Sequence, residues 1–403
     1  MSDFDLDIDL TEEMLAIRER CRQFAREILR PVGATLDRMS AEEVIARGSP
    51  LWDVLRRYKE LGFGGAAQFT ESDLTPAQKA LLHGLVLEEL AWGDVGLMIT
   101  CGLYNISPVV AQGFGRPDLA EFFGKRDEIG CLAVTEPGHG SDHVAFTEPA
   151  YRDTSIKPSL KVRRQGEDYV LNGQKAAWVS CGSIAGSATV FAVFEDSKAG
   201  LADGVVLLMP LDLPGITRGK PLEKIGQRSL NQGEIFFDDV LVPRRFMVAE
   251  GPDAYPLIWE GYLGNANTHM GQQFVGVARA AFDHALAYAK QRVQGGRPIF
   301  EHQAVKVRLF NMFQKVEAAR SHARRVAIAA AVKPGGVPFQ HATSSKVFCT
   351  QMAFEVSSEA IQVLGGNGLT REYPVEKIFR DARASLIEDG ENGMLGLMAA
   401  ARL

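Results

Sequence analysis

The sequence has few of the residues that mark disulfide-rich, zinc-binding or nucleic-acid-binding proteins. Its 403 residues include five cysteines, which lie far apart and form no CxxC pair. Neither a disulfide framework nor a thiolate zinc site is therefore indicated, and a reducing, cytoplasmic compartment fits this cysteine usage best. The formal net charge of −6 offers no surface for a polyanion, so nucleic acid is not expected as a partner.

Long apolar runs and several well-known catalytic motifs are also missing. No apolar run is long enough to span a bilayer, and the acidic N-terminus lacks the basic and apolar regions of a secretory signal, so no membrane association is expected. The motifs GxGxxG, Walker A, HExxH and GxSxG do not occur. A nicotinamide, nucleoside triphosphate, zinc-peptidase or hydrolase function therefore has no support in the sequence, and no metal site is expected.

What is present is a chain of ordinary globular composition whose apolar periodicity changes twice. Up to about residue 128, apolar residues recur every three or four positions, as on one face of a helix. Residues 129–244 contain short runs rich in Val, Ile, Phe and Leu between turns, which predicts a β domain. Residues 245–403 return to long helical patterns. The sequence therefore predicts an α+β protein with three domains, 1–128, 129–244 and 245–403.

Two stretches of the β region have the composition of a ligand site. Residues 131–142 run from an apolar strand into a loop with glycines and hydroxyl side chains, where exposed N–H groups could hold a flat ring and a nearby phosphate. An ordinary strand-to-turn junction is the alternative. In residues 171–180, Asn172-Gly173 predicts a hairpin turn that leads into a strand carrying Trp178. A tryptophan at that point is either a cofactor wall or a core residue.

Two stretches of the C-terminal region are equally unusual. Residues 362–374 contain three glycines within positions 365–368, which is more than a helix C-cap needs and favours close approach of a ligand to the backbone. Residues 381–393 are dense in acids, and a solvated acidic turn is the alternative to a catalytic role. The acids concerned are Asp381, Glu388, Asp389 and Glu391.

Taken together, these stretches resemble the acyl-CoA dehydrogenase family, and the resemblance extends along essentially the whole chain. The matching segments, in the family's order, are residues 134–142, 171–180, 226–229 with 237–243, 292–303 and 362–381. The resemblance implies a helical N-terminal domain, a central β-barrel-like or sandwich domain, and a C-terminal four-helix bundle that builds a homotetramer. It also implies FAD as the cofactor, bound between the β domain and the C-terminal helices.

The resemblance also implies which residues contact FAD. One group would flank the flavin or approach its phosphates: Leu132, Val134, Thr135, Gly140, Ser141, Trp178, Val179, Ser180, Glu391 and Gly393. A second group would contact the FAD of a neighbouring subunit or receive its ADP half: Arg292, His302, Gln303, Gln362, Gly365 and Gly366. One site would then draw on two chains, which implies an obligate oligomer.

The activity implied by the resemblance is the α,β-dehydrogenation of an acyl-CoA thioester. A carboxylate removes the α-proton, and the β-hydride passes to flavin N5. The family's usual base is a glutamate, and the count from the preceding Arg-Asp-Ala run assigns that position to Asp389, with Glu388 as the second candidate. Aspartate is one methylene shorter, which displaces the carboxylate by about 1 Å. Substrate contacts fall on Ser141, Asn267 and Gly390, and Asn267 stands where the family has an arginine.

Three functions remain open at this point. The first is an FAD-dependent acyl-CoA dehydrogenase for a branched, cyclic or otherwise unusual acyl group, which passes electrons to an electron-transfer flavoprotein. The second is a relative with oxidase, monooxygenase or elimination chemistry, similar to the nitroalkane oxidases. The third is a flavin-binding protein without catalysis, against which the available carboxylate argues.

Overall fold

The computed structural model describes residues 6, 10–62 and 73–403 of the chain. Its N-terminal part is helical, and the side chains of Thr11, Ser40, Ser49, Thr75 and Asp94 each accept a hydrogen bond from a first-turn N–H and so begin a helix. The helices are α1 (Glu12–Phe24), α2 (Arg30–Leu36), α3 (Ala41–Ile45), α4 (Pro50–Glu60), α5 (Pro76–Gly93), α6 (Val95–Leu103), α7 (Ile106–Gly113) and α8 (Pro117–Gly124).

The central part is an eight-stranded sheet. The strands are β1 (Gly130–Ala133), β2 (Lys161–Gln165), β3 (Asp168–Ser180), β4 (Ser187–Phe194), β5 (Gly204–Pro210), β6 (Ile216–Arg218), β7 (Gln232–Val242) and β8 (Met247–Glu250). They follow the order β6-β7-β3-β2-β4-β5-β8, and β1 pairs with β4 outside this path. The β1–β4 and β2–β4 pairs are parallel and the other pairs are antiparallel.

The predicted hairpin at Asn172-Gly173 is wrong, because both residues lie inside the continuous strand β3. The pairing of β3 with β7 shifts register between Leu171 and Gly173, where Asn172 stands opposite two residues of β7, so the chain continues through a bulge in β7 instead of turning. Gly173 has a φ of 128°, and a Cβ on it would lie 2.0 Å from the carbonyl oxygen of Ser159. Close approach of a neighbouring backbone therefore explains this glycine.

The C-terminal part is helical again. Its helices are α9 (Tyr255–Gln291), α10 (Gln303–Val332), α11 (Phe339–Leu364), α12 (Val375–Ala384) and α13 (Asn392–Ala400). A very short hairpin, β9 (Val293–Gln294) with β10 (Arg297–Pro298), separates α9 from α10. Helix α9 packs closely on α5: a Cβ on Gly276 would lie 2.3 Å from the carbonyl oxygen of Glu88.

Helical ends around a central sheet confirm the predicted fold class. The largest apolar cluster joins α1 and α5 to α9, α10 and α11, and a second cluster fills the sheet. The domain limits stay predictions. Strand β8 lies after residue 244, the predicted end of the β domain, yet it pairs with β5 of the sheet. None of the helices in the described ranges combines the length and the apolar character that crossing a bilayer requires.

Candidate active site

Three of the stretches singled out in the sequence come together in the structure. The backbone N–H of Glu391 donates to Ser141 Oγ at 3.1 Å, which joins the 131–142 loop to the acidic turn that precedes α13. The backbone N–H of Ala176 donates to the Thr135 carbonyl at 2.8 Å, which joins the same loop to β3. The loop, the end of β3 and the acidic turn therefore form one continuous region.

Strand β1 and the residues after it present every second side chain toward an accessible face. Cys131 and Ala133 are buried, whereas Leu132, Val134 and Thr135 are half-buried. This alternation is what a strand produces when one side packs on the core. The three residues predicted to flank a flat ring are thus the accessible ones. Gly140 and Ser141 are also accessible, but the Gly140 N–H donates to Asp142 Oδ1 at 2.6 Å.

A buried ion pair supports this face from below. Lys175 Nζ lies 2.8 Å from Glu136 Oε1 and donates to the Val134 carbonyl at 2.7 Å, and both side chains are 0% exposed. Burial alone would raise the pKa of Glu136, but the charges of Lys175 and His143 and the backbone N–H of Leu160 hold it below its usual value. Sequence reasoning missed both members of the pair. The available signal was one charged residue shortly after the apolar run of β1 and another within β3.

Trp178 is a surface residue of β3 and not a core residue. Its side chain is 57% exposed, so the interpretation as core packing is wrong. Val179 points the other way, into the apolar cluster of the sheet, and its carbonyl accepts from the Gly182 N–H at 2.9 Å, so its side chain does not share the accessible face of Trp178. Ser180 is half-buried, and its Oγ accepts a hydrogen bond of 3.4 Å from Gln232. An exposed indole beside small polar groups is suited to stacking on a planar ligand.

The acidic turn is held by hydrogen bonds from three parts of the chain. Glu388 Oε2 accepts from Gln227 Nε2 at 2.9 Å, and the Asp389 carbonyl accepts from Asn267 Nδ2 at 3.1 Å. Lys346 Nζ donates to the Gly390 carbonyl at 2.8 Å. Asp389 has a φ of 49°, a left-handed conformation that aspartate adopts more readily than most residues.

The acids in this turn differ in their surroundings. Burial raises the pKa of Glu388 to about 7, and the neighbouring Asp389 charge adds to this while the hydrogen bond from Gln227 opposes it. Asp389 is accessible, yet it lies deep enough among protein atoms that burial raises its pKa, with Lys346 acting in the opposite direction. The pKa of Glu391 is instead lowered, because the N–H groups of Gly393 and Met394 donate to its carboxylate. Glu391 therefore caps α13.

Asn267, predicted to contact the substrate, is fully buried in α9. Its amide nitrogen is used by the Asp389 carbonyl, and its Oδ1 has no hydrogen-bond partner in the described part of the chain. In this structure Asn267 therefore contacts the turn itself. Gly390 is half-buried in the same turn, and Gly393 is exposed in the first turn of α13.

A separate cavity of about 410 Å³ lies between the end of α9, the start of α10 and the end of α11. Among its lining residues are Arg292, His302 and Gly365, which the sequence had assigned to two different parts of an FAD site. Gln303, Gln362 and Gly366 are accessible and adjoin lining residues along the chain. Tyr288, which sequence reasoning missed, also lines the cavity, and its hydroxyl accepts from Asn367 Nδ2 at 2.9 Å.

Comparison with known proteins gives consistent results. Two family models match, described as "Acyl-CoA dehydrogenase, middle domain" over residues 131–240 and "Acyl-CoA dehydrogenase, C-terminal domain" over residues 259–403. The chain is 32% identical to the benzylmalonyl-CoA dehydrogenase of Aromatoleum aromaticum, with 98% of this chain and 99% of the relative covered. It is 31% identical to the cyclohexane-1-carbonyl-CoA dehydrogenase of Geobacter metallireducens, with 97% of each chain covered.

Solved structures with the same fold cover nearly the whole chain. One is the butyryl-CoA dehydrogenase of Megasphaera elsdenii, with a TM-score of 0.82, 25% identity, and 98% of this chain and 99% of that chain covered. Another is described as the electron transferring flavoprotein of Acidaminococcus fermentans, with a TM-score of 0.83, 25% identity and the same two coverages, 98% and 99%.

Proposed function

The chain belongs to the acyl-CoA dehydrogenase family of flavin-dependent oxidoreductases, and from that premise we propose that it uses FAD to desaturate an acyl-CoA thioester between Cα and Cβ. The observation that carries the proposal is the hydrogen bond between Ser141 and Glu391. It brings the face formed by Leu132, Val134 and Thr135 next to the turn that holds two carboxyl groups with raised pKa values. A general base for an α-proton needs that environment.

Asp389 is the better candidate for the base. Its carboxylate accepts no hydrogen bond from the described part of the chain, so it is available to a substrate proton. The carboxyl of Glu388 is already engaged by Gln227 and faces the charge of Lys224. Asp389 instead faces Tyr262 of α9, whose pKa is raised by burial and by the Asp389 charge. Asp389 would therefore take the α-proton, and Glu388 would stay out of the reaction.

The backbone of the same turn supports the second requirement of the reaction. Negative charge develops on the thioester oxygen as the α-proton leaves, and a fixed donor lowers the barrier. The Asp389 N–H has no acceptor within the described residues. It could donate to that oxygen while the side chain of the same residue takes the proton.

The residues present fit FAD. The exposed indole of Trp178 and the accessible side chains of Leu132, Val134 and Thr135 provide walls for a flat ring. The cavity lined by Arg292, His302 and Gly365 has the volume and the basic character to receive the ADP part, which we propose comes from a neighbouring subunit of a homotetramer. When bound, the flavin supplies the acceptor for the β-hydride.

Relatives support a substrate with a branched or cyclic acyl group. Two relatives above 30% identity are named for benzylmalonyl-CoA and cyclohexane-1-carbonyl-CoA. A base shortened by one methylene would also require such a substrate to sit about 1 Å nearer to the turn. We further propose an electron-transfer flavoprotein as the electron acceptor, because a structural neighbour carries that description.

Anaerobic mixing with a panel of straight, branched and cyclic acyl-CoA thioesters tests this function. We expect at least one member to bleach the flavin absorbance. When air is then admitted, the reduced enzyme should take up oxygen no faster than free reduced flavin does. Failure of every member to bleach the flavin would contradict dehydrogenation. Rapid oxygen consumption during turnover, without another acceptor, would instead favour oxidase chemistry.

A further inference from the structure

Lys346 is a buried cation directly beneath the acidic turn. It lies on α11 and is 0% exposed, and its Nζ donates to the Gly390 carbonyl at 2.8 Å and to Asn392 Oδ1 at 2.7 Å. Asn392 Nδ2 donates back to Thr350 Oγ1 of the same helix at 3.1 Å. The ammonium group is thus fixed at both ends of the turn, on a rigid element.

The backbone of the turn requires such a restraint. Asp389 has a φ of 49° and Gly390 a φ of 93°, so two successive residues are left-handed. A non-glycine residue in this region persists only where its surroundings hold it. The carbonyls of these two residues are both bound, the first by Asn267 and the second by Lys346. These two contacts hold the backbone from which the Asp389 side chain projects.

Lys346 is also an unusual residue for a purely structural contact. No carboxylate of the described residues lies within ion-pair distance of its ammonium, and both of its partners are neutral oxygens. Burying a charge in this way costs stability, which a neutral side chain of similar length would avoid. Burial lowers the pKa of Lys346 to about 8, and Asp389, Glu388 and Glu391 oppose that change. At neutral pH the group is therefore largely charged.

The charges around Asp389 are few. Its own turn contributes Glu388, α9 contributes the neutral phenol of Tyr262, and α11 contributes Lys346. Lys224 faces Glu388 from the opposite side. Lys346 is thus the cation that offsets the effect of burial on the Asp389 carboxylate.

We propose that Lys346 is a positioning residue for the reaction, which holds the Gly390 carbonyl so that the turn aims the Asp389 carboxylate, and which places a fixed positive charge beneath that turn. The proposal deepens the proposed function and rests on Asp389 as the base. It assigns no contact between Lys346 and the substrate. It also gives a reason why a lysine, and not a neutral donor, occupies this buried position.

The test measures the pH dependence of anaerobic flavin reduction in Lys346→Met, using the thioester of the panel that reacts fastest with the unmodified enzyme. We expect the acid limb of the rate profile, where the rate falls as the base is protonated, to move to higher pH, because the variant loses the cation that opposes the effect of burial on Asp389. Lys346→Arg, which keeps the charge, should leave the limb in place while lowering the rate. Lys315→Met is the control for loss of a lysine, because Lys315 lies on α10 and pairs with Glu355 of α11, away from the turn.

A uniform loss of rate in Lys346→Met, with the limb unmoved, would reduce Lys346 to a structural contact and overturn the proposal. Asp389→Asn is measured alongside. If that variant still reduces its flavin, Asp389 is not the base, and the proposed role of Lys346 is wrong as well. If Asp389→Asn is inactive and the limb of Lys346→Met is unmoved, only the Lys346 proposal fails.

Backbone hydrogen exchange of the turn provides a readout that needs no substrate. The Lys346→Met and Lys315→Met proteins are compared as purified, each at a temperature that gives the two the same global stability. The backbone amides of residues 388–392 should exchange faster in Lys346→Met. Equal exchange in the two variants would show that the turn does not depend on Lys346 and would overturn the proposal even if no thioester reacted.

Discussion

Replacing Lys175 with methionine should destabilise the protein far more than a typical lysine substitution. The change removes the ammonium and keeps most of the side-chain volume. It leaves the Glu136 carboxylate buried, and within the described residues its remaining donors are the N–H groups of Ser159, at 2.5 Å, and Leu160, at 3.2 Å. Removing one partner of a buried pair costs about 3–5 kcal/mol, because the remaining charge is left uncompensated.

A surface pair of similar length supplies the control. Lys125 Nζ lies 2.6 Å from Glu121 Oε1, and the two side chains are 72% and 73% exposed. Lys125→Met should therefore cost far less stability than Lys175→Met, since water screens the pair and hydrates the remaining carboxylate. Urea unfolding of both variants at equal protein concentration measures the difference.

The double variant Lys175→Met with Glu136→Gln tests the reason for the loss. With both charges gone, no buried charge is left unpaired. The double variant should therefore lose less unfolding free energy than the sum of the losses in the two single variants, by about 2–3 kcal/mol. Flavin retention should also decrease in Lys175→Met, because the Val134 carbonyl loses its donor. A cost equal to that of Lys125→Met, or strict additivity in the cycle, would refute the reasoning.

The remaining predictions concern the cofactor site and the loop. Trp178→Ala should weaken flavin binding by about 1 kcal/mol, or roughly fivefold in Kd, measured by equilibrium dialysis, because a stacking wall is lost. Arg292→Gln should weaken the binding of ADP to the cavity, measured by calorimetry, and an unchanged affinity would separate the cavity from the cofactor. His139 contacts an acceptor with each ring nitrogen, Asp142 Oδ2 at 2.6 Å and the Lys157 carbonyl at 2.8 Å. Burial lowers its pKa, but these contacts outweigh burial and raise it overall. The stabilisation is therefore full below the unfolded value of about 6.5 and is lost as the pH rises through the higher folded pKa. Accordingly, His139→Gln should cost more stability at pH 5.5 than at pH 8.5, and an equal cost at both would contradict this sign.

Apolar periodicity predicted the distribution of helices and strands well. The three-to-four spacing before residue 128 and after residue 245 follows from one face of each helix packing on a shared core, which is a local property of the sequence. The Asn172-Gly173 pair was misinterpreted because a glycine can serve a turn or a close backbone contact equally well. The turn and the close contact can be told apart only by the position of the Ser159 carbonyl beside Gly173, which the sequence does not reveal.

The candidate site was predicted in part. The accessible residues of β1, Trp178 and the acidic turn could be recognised because they belong to continuous motifs. Lys175 and Lys346 were not recognised, because their partners Glu136 and Gly390 are 39 and 44 residues away in the chain. The pKa shifts of the acids at 388, 389 and 391 could not be predicted from the sequence, since they depend on Gln227, Lys346 and the first turn of α13.

The most direct test of the account compares Asp389→Asn with Glu388→Gln in the anaerobic flavin reduction assay. Both variants should retain FAD, seen as an unchanged visible absorption spectrum. Asp389→Asn should show no bleaching by any thioester that reduces the unmodified enzyme, whereas Glu388→Gln should still bleach. Bleaching of Asp389→Asn at a rate close to that of the unmodified enzyme would contradict the assignment of Asp389 as the base.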